Sequence, residues 1–109
     1  MAELASAAES FALLRRDTTC RELGYPQSPD RVERLGAFVR SYGLAEQEWP
    51  TLAEALVSHA QDGVAFGIQL HREGREPFAS WWAADGGAGD REDLALTEAV
   101  AFAWRQRFA

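Results

Sequence analysis

Residues 51–71 read TLAEALVSHAQDGVAFGIQLH, with Pro50 directly before them. Thr51 and Glu54 stand at the spacing of a capping box, in which each side chain satisfies a backbone amide near the other. Leu52, Leu56, His59, Gly63, Phe66 and Leu70 then alternate by four and three, while Val57, Ala60, Val64 and Ile68 add a second apolar flank. The pattern predicts one helix from Thr51 to about His71, about 30 Å long at ~1.5 Å per residue. A helix apolar over so wide an arc needs neighbours on more than one side, which makes it the central element. Gly63 and Gly67 each cost up to ~1 kcal/mol of helix propensity. No turn chemistry surrounds them, so they predict close approach of a crossing helix.

Upstream of this helix, Ser28-Pro29-Asp30 is a start signal: a serine for the free amides, proline for the first helical position, aspartate for the positive end of the dipole. Val32, Leu35, Phe38, Val39 and Tyr42 follow as one apolar stripe, and Gly43 sits where a left-handed C-cap belongs, so a helix is expected over 29–42. Thr19-Cys20-Arg21-Glu22 reads as a second capping box opening a short helix that Gly24 and Tyr25-Pro26 stop. Alanine-rich residues 2–16, with Leu4, Ala8, Phe11 and Leu14 near helical spacing, predict an N-terminal helix.

Downstream, Pro77 opens a short segment carrying Phe78, Trp81 and Trp82. Asp85-Gly86-Gly87-Ala88-Gly89 has the composition of a mobile loop. Asp90-Arg91-Glu92-Asp93 then begins a last helix with Leu94, Leu96, Val100, Phe102, Ala103, Trp104 and Phe108, and Arg105 and Arg107 suit its C-terminal end. Strand alternation is nearly absent, and no repeat, linker or domain boundary interrupts the chain. The expected fold is a single all-α domain, a small bundle of about five helices around a long central one.

Charge and composition restrict what such a domain does. Seventeen acidic residues face eleven basic ones for a net charge of -6. This argues against nucleic acid, which needs a basic surface, and leaves cationic ligands open. Every basic residue is an arginine, so a Walker loop, a Schiff-base lysine or a kinase strand lysine cannot be completed within these residues. MAELASAAES lacks the basic start of a secretory signal, no apolar run approaches the ~20 residues that span a bilayer, and the single Cys20 cannot form an internal disulfide. A cytoplasmic protein with no membrane partner is expected.

Candidate chemistry is sparse. His59 and His71 lack the companions of a metal set, and Cys20 reads as a small core residue. The glycines of 86–89 suggest a phosphate cradle at a helix start, but Asp85, Asp90, Glu92 and Asp93 would repel a phosphate. Those carboxylates could instead receive a polycationic small molecule, with Trp81 or Trp82 as an aromatic wall. Asp85, Asp90, Trp81 and Trp82 are therefore the candidate substrate-binding residues, beside the ordinary roles of capping carboxylates and core aromatics. No catalytic set, metal site or cofactor motif is assigned.

The order of the pieces adds a resemblance. Arg16-Asp17, Cys20-Arg21-Glu22-Leu23-Gly24-Tyr25, Pro29-Asp30-Arg31-Val32-Glu33-Arg34-Leu35 through Phe38, and Tyr42-Gly43-Leu44 resemble the C-terminal part of the aminoglycoside phosphotransferase family. The long helix, the Glu73-Gly74 turn with Pro77-Phe78 and a last helix near Asp93-Leu94 continue the likeness over residues 11–109. Gly36, Trp49-Pro50 and the 85–89 loop depart from that family's pattern. The resemblance implies helices that wall a site for a cationic acceptor. The family's nucleotide lobe, its His-x-Asp catalytic loop and its metal-binding aspartate lie upstream of the matching part; here His59 precedes Ala60-Gln61 and His71 precedes Arg72-Glu73. These residues alone therefore carry no kinase machinery. Two functions are expected from different classes: a non-catalytic pocket for a cationic small molecule, alone or beside a kinase-core partner chain, or a helical interaction module forming a homodimer, to which four tryptophans and the wide apolar arc are suited.

Overall fold

A computed structural model describes residues 1–108, leaving out the side chain of Phe108. Six α-helices follow one another: α1 (Ala2–Ala12), α2 (Asp17–Glu22), α3 (Arg31–Tyr42), α4 (Trp49–Arg72), α5 (Phe78–Asp85) and α6 (Ala88–Phe108), with one 3-10 turn at Glu46–Glu48 before α4. No strand occurs among the described residues. The expected all-α bundle with a long central helix is what forms: α4 packs against α1, α5 and α6, while α3 closes the bundle against α1 and α6.

The core occupies only half the length of α4. Leu52, Ala53 and Leu56 from its first turns meet Val100, Ala101 and Trp104 from the end of α6, together with Leu35 and Val39 of α3. Ala5, Ala8 and Ala12 line the buried side of α1, and their small side chains let it sit close to α3 and α4. Trp104, at 1% exposure, fills the centre and lies 5.5 Å, centroid to centroid, from Trp49, whose Nε1 donates to the Leu44 carbonyl. The second half of α4 runs past the α1–α3 layer, and the molecule measures 42 × 30 × 20 Å as a result. There α5, the first turns of α6 and Arg16 of the α1–α2 link lie along it.

Several helix ends differ from expectation. The N-terminal helix stops at Ala12, because Leu13 turns left-handed (φ 57°) and its carbonyl accepts Arg31 Nε at 2.9 Å. Arg31 is almost wholly buried and also reaches the Arg15 carbonyl (2.7 Å) and Asp17 Oδ1 (2.7 Å). One guanidinium thus fixes the α1–α2 link onto α3. Neither threonine capping box forms: α2 begins at Asp17 and α4 at Trp49, both ahead of their threonines and without a side-chain cap. Asp30, not Ser28, caps α3 by accepting from Glu33 N at 3.1 Å, and Ser28 donates to Asp17. The C-cap at Gly43 forms as expected (φ 82°).

Candidate functional site

The largest departure from expectation lies at the 85–89 stretch, where Ala88 and Gly89 already belong to α6 and only Gly86 and Gly87 turn. The cause is Asp85. Its carboxylate accepts from Gly87 N (2.8 Å) and Gly89 N (3.0 Å), so the turn is pinned and the new helix is capped at once. Those amide hydrogen bonds, from Gly89 first and Gly87 second, hold the Asp85 pKa below its ordinary value. They also occupy two of the amide donors that a phosphate at this helix start would need.

This tight turn folds α5 back along α4 and brings the four candidate residues together. Trp81, Trp82, Asp85 and Asp90 line one cavity of about 470 Å³, with Phe66 and Leu70 contributed by α4. That volume falls within the range of small-molecule sites, about 300–1,000 Å³. The two tryptophans have separate jobs. Trp82 is half-buried between backbones: a Cβ on Gly67 would come within 2.5 Å of its Cε3, and one on Gly87 within 2.6 Å of its Cε2. Arg91 lies over the same ring, 5.4 Å from its centroid. Trp82 therefore braces α5 against α4. Trp81 is 65% exposed, edge-on to Phe78 at 5.5 Å, and leaves much of its ring open to solvent.

The glycine expectation divides accordingly. Gly67 does permit a close approach, although what approaches is an indole ring and not a crossing helix. Gly63 has no atom within 4 Å of where its side chain would stand. It opens onto the cavity and onto a smaller neighbouring one of about 180 Å³, lined by Glu9, Arg15, His59 and Thr97; Asp90 borders both.

Arg16 enters the site from the α1–α2 link. Asp93 accepts from its backbone N (2.8 Å) and its Nη1 (3.0 Å), and the guanidinium rests where a side chain on Gly89 would be. With Arg16 held by Asp93, Asp90 makes no ion pair or hydrogen bond of its own through its carboxylate among the described residues. Burial of its carboxyl against α4, then repulsion from Asp93 and Asp85, push the Asp90 pKa above the ordinary aspartate value, with Arg16 pulling the other way. An aromatic-walled cavity with a carboxylate that lacks a partner suits a cation.

Arg16, Phe66, Gly67 and Phe78 also belong to this site, though the sequence reading did not single them out for it. Phe66 carried a signal only as a member of the apolar arc of α4, and Gly67 only as a point of close approach between helices. His59 Nε2 lies 3.8 Å from Glu9 Oε2, His71 is exposed, and Cys20 is buried near Arg31. No helix among the described residues is long and apolar enough to cross a membrane. Compared with known proteins, the chain matches no family model, no curated protein and no solved structure. The likeness to aminoglycoside phosphotransferases thus rests on residue order and spacing alone.

Proposed function

We propose that this chain is a non-catalytic helical binding domain whose cavity between α4, α5 and α6 takes an organic cation. Asp90 is the observation that carries the reading: a carboxylate with no ion-pair or hydrogen-bond partner among the described residues, raised in pKa by its surroundings, lining a ligand-sized cavity together with Phe66 and Trp81. A bound ammonium would supply the missing counter-charge, and the aromatic faces would add ~0.5–2 kcal/mol of cation–π attraction. Trp82 and Asp85 serve the site by shaping it, since both are engaged by backbone glycines. The resemblance to aminoglycoside phosphotransferases supports a polyamine or amino sugar as the ligand class, held alone or beside a kinase core from another chain.

Fluorescence titration with spermidine and with kanamycin tests this reading. Saturable quenching is expected, weakened by Trp81→Phe and at least tenfold weaker in Asp90→Asn. Binding should also fade as pH falls through the raised Asp90 pKa, because the protonated acid carries no charge. Equal affinity of Asp90→Asn for both cations, or no saturable change in the unmodified protein, would refute it.

A further inference from the structure

On the side of α6 turned away from the core, Phe102 is 66% exposed and borders a groove of about 550 Å³ between α4 and α6, with Ala53 and Val57 on its apolar floor. Ala95, Glu98, Ala99 and Arg105 are exposed with it on the same side of the helix. The charged residues that line the groove with it are Glu54 of α4 and Glu98 and Arg105 of α6. Glu98 and Arg105 both line the groove, one heptad apart, and so lie along the same flank of the helix. Neither forms an ion pair within the chain among the described residues. In an antiparallel helix pair the same flank of each helix faces the other. The midpoint between Glu98 and Arg105 falls beside Phe102, so a two-fold axis there sets Phe102 against Phe102 and brings each Arg105 to the Glu98 of the other copy. Ala95 and Ala99, both exposed, border the same strip and leave room for the helices to approach.

We infer that this face binds a second copy of the chain, through antiparallel packing of α6 against α6 about an axis at Phe102. The interface is self-complementary, as a two-fold dimer requires: the same patch serves both copies. It rests on observations separate from those at the Asp90 cavity, and either can fail without the other.

Charge exchange between the two positions tests the geometry without disturbing the core. Sedimentation equilibrium over a range of concentrations should show the unmodified chain passing from monomer to dimer. Glu98→Arg alone opposes arginine to arginine at both contacts, and Arg105→Glu alone opposes glutamate to glutamate. Each should weaken self-association about ten- to a hundred-fold. An equimolar mixture of the two variants should form a heterodimer, because both contacts then join opposite charges; the double variant should regain self-association. A monomer at every accessible concentration would overturn the proposal. Undiminished dimers of both single variants, or a mixture that does not associate, would overturn it equally.

Discussion

Two glycines one turn apart on α4 should answer alanine substitution with opposite signs. In both, alanine recovers up to ~1 kcal/mol of helix propensity. At Gly63 nothing stands within 4 Å of the new methyl, so Gly63→Ala should stabilise by nearly that amount. At Gly67 the methyl would arrive within 2.5 Å of Trp82 Cε3, where carbon atoms prefer about 3.5–4.0 Å. The Gly87 backbone blocks the ring on its other side, so it can yield only toward the cavity. Overpacking of this kind costs about 1–3 kcal/mol, which leaves Gly67→Ala between neutral and about 2 kcal/mol destabilised. The propensity term cancels between the variants, so the difference of about 1–3 kcal/mol measures the clash itself. Urea denaturation at one fixed protein concentration gives both values, with tryptophan emission reporting whether Trp82 has been displaced. Cation affinity should fall in Gly67→Ala, since Trp82 has nowhere to go but toward the cavity. Equal stabilisation by the two alanines would refute the reasoning: Trp82 would not then be clamped, and the cavity would lack its brace.

Arg31→Met should destabilise by about 3–5 kcal/mol in the same assay, because the Leu13 and Arg15 carbonyls lose their buried donor, and Arg31→Lys should recover less than half, lacking the planar fork that reaches both. Its partner Asp17 has a pKa lowered chiefly by the Arg31 hydrogen bond, so the stability this contact adds is present above the ordinary carboxylate range and disappears as pH falls through the depressed value; Arg31→Met should remove that portion of the acid limb. Asp90→Asn should have the reverse effect on the fold: a raised native pKa means the charged acid strains the native state, so the variant should be more stable at neutral pH. That advantage should vanish as acid protonates Asp90 in the unmodified protein, and thermal melts from pH 7 to pH 3 would reveal it.

The helices, the long central element and the close of α3 at Gly43 were legible in the residues, because each follows from contacts within a turn or two of chain. Periodicity places apolar side chains on one face of a helix whatever the rest of the molecule does, and a glycine cap needs only its own backbone freedom. The aspartates and tryptophans near 81–90 could likewise be picked out by type. Their assembly into a cavity could not. It depends on Trp82 fitting between Gly67 and Gly87, and Gly67 lies 15 positions earlier on another helix. The helix starts and stops failed for the same reason. Thr19 and Thr51 offer good local caps, yet α2 and α4 begin ahead of them, and α1 ends where Arg31, on α3, claims the Leu13 carbonyl. A cap contributes about 1 kcal/mol, so a buried guanidinium or a packed indole outweighs it. Short-range patterning thus determined that this chain is helical and acidic. Long-range packing decided where each helix stops, which carboxylate is left without a partner, and which face of α6 is left uncovered.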